Sequence, residues 1–205
     1  MKKSVFMLMI MMAVSGIRLS GQDFTAVREA FARSFSYEKE SKYEEAADEL
    51  MKIYSDDSYE INLRLGYLAY MQGNYTESMS YYEKSITLQP YAIEPRFGYI
   101  LPASAAGNWS QVEEQYKKII AVDPMNTQAN YWLGIIYYNR EDYGAAAKNF
   151  EKIVNLYPYD YDATIMFAWT NFKMSNLREA KALFQKALLI RPGDESAMEG
   201  IGLIQ

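Results

Sequence analysis

Pro90, Pro124, Pro158 and Pro192 recur every 34 residues, and Tyr75, Trp109, Tyr143 and Leu177 keep the same step. A period of that length identifies a chain built by stacking one supersecondary element many times, rather than a globule around a single centre. One such element cannot bury its apolar face alone. It does so against its neighbours, and the stack leaves a long surface free for binding.

The inside of the period is helical. In residues 127–160 the first half is apolar on nearly every side, with Leu133, Gly134 and Tyr137 at helical spacing. Asp142 breaks the pattern, and Ala146, Phe150, Ile153 and Val154 form a second, amphipathic run. Pro158 closes it, because proline lacks both the donor and the steric room to continue a helix. Asn74, Asn108, Asp142 and Asn176 precede each second run and are predicted to cap it through their side chains. Glu77, Gln111 and Glu179 stand three residues later, as in a capping box. Gly73 and Gly107 are placed to supply the left-handed turn that ends each first helix. Small residues stand where the two helices cross: Gly66, Gly134 and Ala168 on the first, Ser78, Ala146 and Ala180 on the second. Tyr82, Tyr116, Phe150 and Phe184 then fill the space beside the crossing.

These positions resemble the tetratricopeptide repeat, whose pattern sets Leu-Gly-x-x-Tyr on a first helix and Ala-x-x-x-Phe with a closing Pro on a second. The match is closest in Leu133-Gly134…Tyr137, Ala146…Phe150, Pro158. The resemblance implies an all-α fold: a right-handed superhelical solenoid of about five helix-turn-helix repeats and a C-terminal capping helix. The register gives repeats at about 27–58, 59–92, 93–126, 127–160 and 161–194 with a cap at 195–205, in a single domain over 22–205. The third repeat departs from the pattern. Ile100 replaces the small crossing residue, and Pro102 falls inside the first helix, which is therefore expected to be kinked or shortened. Either the irregularity is simply tolerated, or it widens a pocket in the middle of the array.

Composition narrows the chemistry. The chain has no histidine and no cysteine, which removes the usual general base, the commonest metal ligand and every thiolate site. Adjacent carboxylates such as Glu44-Glu45 and Glu113-Glu114 do not face each other on a helix. No catalytic residue, metal site or cofactor is expected, and the chain is read as a non-enzyme. The net charge of −5 becomes more acidic once Lys2, Lys3 and Arg18 are set aside, which argues against a nucleic-acid partner.

Those three cations belong to a separate signal. Lys2 and Lys3 precede the apolar run Ser4 to Val14, and the small residues Ser15, Gly16, Ser20 and Gly21 follow. That is the order of a secretory signal peptide, placed at 1–21, with cleavage after Gly21 preferred to cleavage after Gly16. The run falls short of the roughly 20 residues of a spanning helix, so no stable membrane insertion is expected after cleavage. The expectation is an exported bacterial protein of the periplasm or cell envelope, or a secreted one.

The resemblance also implies a concave wall lined by first helices. In this chain that wall would carry Phe31, Phe35, Tyr67, Tyr70, Phe97, Tyr131, Tyr138, Trp169 and Phe172, with Leu63, Met71, Leu101, Ile135 and Ile165 between them. The Lys and Asn clamp with which chaperone-tail-binding members hold a terminal carboxylate is replaced here by apolar residues. A wall of rings suits a protein or peptide partner, and a scaffold that binds such a segment is the expected function. An envelope glycan stacked on Tyr and Trp, or self-association of the array, are the alternatives.

Overall fold

The computed structural model describes residues 24–204, all of it helix and turn. The expected signal peptide and both its cleavage positions lie outside these residues. Contacts divide the chain into two compact units. The first ends at Tyr54 and holds α1 (Phe24–Lys39) packed on α2 (Tyr43–Met51). The second, from Ser55, holds α3 (Tyr59–Met71), α4 (Tyr75–Leu88), α5 (Glu94–Ala105), α6 (Trp109–Val122), α7 (Thr127–Asn139), α8 (Tyr143–Leu156), α9 (Tyr161–Lys173), α10 (Leu177–Ile190) and α11 (Glu195–Gly202).

Within the second unit every helix packs on the next. The first helices of successive repeats also pack on one another, α3 on α5, α7 on α9 and α9 on α11. The second helices α4, α6, α8 and α10 make no such contacts among themselves. The first helices are thus the more closely packed row of this unit, interrupted between α5 and α7.

Turn chemistry explains the tight joints and corrects one expectation. Gly73 and Gly107 take the left-handed conformation, with φ of 80° and 76°. Glu141 and Ser175, one period further on, are forced into the same region at φ 62°. L-residues pay about 1–2 kcal/mol for that conformation. Glu141→Gly is therefore expected to raise stability by about 0.5–1 kcal/mol, after the larger chain entropy of glycine is subtracted, as read by urea unfolding.

The residue after each turn closes the preceding helix through its backbone: the Asn74, Asn108, Asp142 and Asn176 amides donate to Ala69, Ala103, Tyr137 and Asn171 carbonyls at 2.8–2.9 Å. Of the four expected side-chain caps, only Asp142 accepts the N3 amide, from Ala145 at 3.0 Å. Asn74, Asn108 and Asn176 start their helices with no side-chain cap bond. All four share a tight turn with ψ near 60–70°; the three asparagine amides donate to Gln72, Met79 and Asn171, while the Asp142 carboxylate, a stronger acceptor with no donor, turns to the helix.

The side-chain caps that do form stand before the first helices. Ser58, Asn126, Asp160 and Asp194, with ψ of 110–118°, accept from Ile61, Ala129, Ala163 and Ala197. In the third repeat that position is Ala92, and α5 begins one residue later with no side-chain cap. Its shortening is thus at the start. α5 runs through Pro102, whose ring is buried, and ends in register with its counterparts.

A second ladder, of buried polar residues, pins the loops. Asn62 and Asn130 are fully buried and donate to the loop carbonyls of Asp56 and Pro124, each at 3.0 Å. Arg96 takes that place in the third repeat, donating to the Pro90 carbonyl at 2.8 Å and to Gln115 Oε1 at 3.0 Å. Burial lowers the pKa of its guanidinium.

Candidate functional site

The core of the second unit is organised around one ring per repeat. Phe150 and Phe184 are fully buried, and Tyr82 and Tyr116 nearly so. Each is clasped between its own first helix and the next. A Cβ on Gly66 would come within 3.1 Å of the Tyr82 ring, and one on Gly98, in the following helix, within 2.2 Å. Likewise a Cβ on Gly134 would lie 2.6 Å from the Phe150 ring, and one on Gly200 2.3 Å from the Phe184 ring. Around Tyr82 glycine stands on both sides, around Phe184 Ala168 and Gly200, and around Phe150 Gly134 with Met166 on the following helix.

Tyr116 lacks that arrangement. The two equivalent positions are Ile100 on its own helix and Trp132 on the next, 34 residues on from Gly66 and Gly98. Two bulky groups take the space where glycines stand around Tyr82, and α5 and α7 accordingly have no Cα atoms within 8 Å of each other. Between them lies a cavity of about 1170 Å³. Its walls are Phe97, Ile100 and Leu101 of α5 and Trp132, Ile135 and Ile136 of α7, and Trp109, Val112 and Tyr116 of α6 form its floor. Trp109 is 61% exposed, Leu101 47% and Trp132 45%, so the apolar lining reaches solvent.

The polar groups of the cavity are few: Glu94, Ser104, Gln128, Asn139 and Arg140. Arg140 is already engaged with Glu113, which also accepts from Lys117 at 2.6 Å. Lys117 first, and then Arg140, hold the Glu113 carboxyl below the usual carboxylate range. Glu94 accepts from the Tyr59 hydroxyl at 3.4 Å. Burial pushes the Tyr116 hydroxyl up to about 12, so it stays a neutral donor at any physiological pH.

The sequence-derived wall residues fall into three groups. Phe97 lies in the cavity, joined there by Leu101 and Ile135. Tyr67, Tyr70, Tyr131, Tyr138, Trp169 and Phe172 are half-buried along the first helices of the second unit. Tyr131 packs edge-on to Phe150 at 5.9 Å, Tyr138 to Tyr143 at 5.4 Å and Trp169 to Phe184 at 4.9 Å. The Trp169 indole N–H donates to Ser196 Oγ at 2.8 Å. Each of these rings spends one face on packing and offers the remainder outward. Phe31, half-buried, and Phe35, exposed, belong to α1 in the first compact unit. Ile165 is buried.

Trp109 and Trp132 were not anticipated. The signal for Trp132 lies in a column of the repeat that reads Gly98, Trp132, Met166 and Gly200, in which the indole is the bulkiest member. Trp109 was visible only as a rung of the aromatic ladder. Among the described residues no group of three or more His, Cys, Asp or Glu is placed to hold a metal ion, and no helix is long and apolar enough to cross a membrane.

Comparison with known proteins fits this architecture. The tetratricopeptide repeat family model matches residues 31–93 and 103–161. The stretch between the two matches, 94–102, is most of α5. No curated protein matches the chain. Among solved structures, a tetratricopeptide repeat protein from Parabacteroides merdae superposes with a TM-score of 0.72 at 18% identity, over 88% of this chain and 72% of that one. MamA of strain AMB-1 gives 0.68 at 19% identity, over 87% and 98%. MamA from Desulfovibrio magneticus RS-1 gives 0.66 at 16% identity, over 83% and 97%. At these identities the likeness is one of fold.

Proposed function

We propose, on the premise that this chain belongs to the tetratricopeptide repeat family, that it is a non-catalytic scaffold whose first-helix wall binds a segment of a partner protein. The observation that carries this reading is the row of half-buried rings, Tyr67, Tyr70, Tyr131, Tyr138, Trp169 and Phe172, along the first helices of the second unit. Rings fixed by packing on one side lose little entropy when their free edges are covered, and their hydroxyls and indole orient a ligand. Burial raises the pKa of Tyr131 and Tyr138, so both hydroxyls remain neutral donors. An extended segment or an amphipathic helix suits such a wall. The amino-terminal pattern, a basic start and a short Met-rich apolar run followed by small residues, supports an exported bacterial protein acting in the periplasm or cell envelope.

A position-resolved cross-linking experiment tests the surface without disturbing packing. A photoreactive phenylalanine analogue is installed in place of Tyr67, Tyr138 or Phe172 on the wall, or Lys148 on the second helix α8, and irradiated in the source cells. Adducts of one discrete mass from the wall positions, with none from position 148, are expected. Adducts from position 148 alone would move the partner to the second helices and sink the proposal.

A further inference from the structure

The cavity between α5 and α7 differs from the rest of the wall in kind. Elsewhere rings lie side by side on packed helices, whereas here two neighbouring first helices stand apart over a volume of about 1170 Å³. That lies just above the roughly 300–1,000 Å³ typical of small-molecule sites. It is also several times the roughly 150 Å³ that holds one benzene. The space is built by residues of the chain, since Ile100 and Trp132 occupy the two places that glycine takes around Tyr82.

We infer that this cavity is a binding site for an uncharged, elongated hydrocarbon group, such as the alkyl chain of an amphiphile. The lining selects that class. Ten lining residues, among them the rings of Phe97, Trp109, Tyr116 and Trp132, present apolar surface, against five polar ones. A peptide backbone drawn inside would bring an N–H and a C=O with every residue, each needing a partner that this lining does not supply. A charged head group gains nothing deep in the site either. Arg140 is committed to Glu113, and Glu94 would repel an anion. The neutral amides of Gln128 and Asn139 and the Ser104 hydroxyl can meet an alcohol, ester or amide end. The inference rests on the cavity alone and stands whether or not a partner segment covers the other rings.

Two of the protein's three tryptophans line the site, which gives a direct readout. The full-length protein is titrated with N-phenyl-1-naphthylamine, a neutral apolar fluorophore that accepts energy from tryptophan. Saturable binding with strong transfer is expected, and dodecanol should displace the probe. Trp109→Phe/Trp132→Phe should abolish most of the transfer while probe binding persists, and Trp169→Phe should leave it intact. Ser104→Phe/Ile135→Phe, which fills the space with rings, should weaken binding at least about tenfold with an unchanged far-ultraviolet circular dichroism spectrum. Absence of saturable binding, failure of dodecanol to compete, or transfer that survives loss of Trp109 and Trp132 would each overturn the assignment.

Discussion

Phe150→Ala is expected to destabilise the second compact unit by about 4 kcal/mol, the largest effect of any single truncation proposed for this chain. The ring is fully buried, lies 2.6 Å from where a Gly134 Cβ would be, and packs edge-on to Tyr131. Its removal leaves a void that helices α7, α8 and α9 cannot close without breaking their own contacts. Tyr116→Ala supplies the comparison. That ring occupies the equivalent place but already borders the open cavity, so truncating it enlarges an existing space and should cost only about 2 kcal/mol. Urea unfolding followed by circular dichroism measures both. Equal losses would contradict the view that the third repeat is loosely closed.

Gly98→Trp is expected to cost about 3 kcal/mol and to separate α3 from α5. It installs at one interface the residue that stands one period later as Trp132. A Cβ at position 98 would already meet the Tyr82 ring at 2.2 Å, and Tyr82 has no open side into which to retreat. The same indole at position 132 is accommodated because Ile100 and the uncapped start of α5 have relaxed that junction. Loss of urea stability together with increased quenching of tryptophan by iodide would record the opening. A variant as stable as the wild type would show that the glycine column does not govern helix approach.

The amino-acid sequence carried the helix pairs to within a residue or two, because Pro90, Pro124, Pro158 and the small crossing residues report local requirements that each repeat meets by itself. Side-chain capping was misplaced for a chemical reason. Asn74, Asn108 and Asn176 stand in the same backbone-closed turn as Asp142, but their amide groups donate to Gln72, Met79 and Asn171 instead, and only the Asp142 carboxylate, which has no donor to place, caps its helix. The caps at Asn126, Asp160 and Asp194 stand two residues after a proline, and Ser58 two after Asp56, in loops that looked merely polar.

The candidate cavity was half legible. Ile100 and Pro102 marked the third repeat as irregular, yet the opening depends equally on Trp132, which belongs to the next repeat and acts across the junction. A column of residues gains meaning only when the element it faces is known. Pro102 drew attention to the right helix for the wrong reason, since α5 passes through it and loses its residue at the opposite end.

The separation of α5 from α7 also bears on how the molecule assembles. In a stacked array, folding spreads from one repeat to the next with a probability set by the bond between neighbours. Where the first helices touch, two sets of contacts transmit order. At this junction only α6 on α7 does so, aided by the Arg140–Glu113 pair. Within the second compact unit this junction is therefore expected to be the one through which order spreads least readily, although one apolar core, with Tyr116 and Ile119 beside Ala129 and Leu133, runs across it. The opening between α5 and α7 comes with a weaker joint, and an occupant touching both helices would strengthen it.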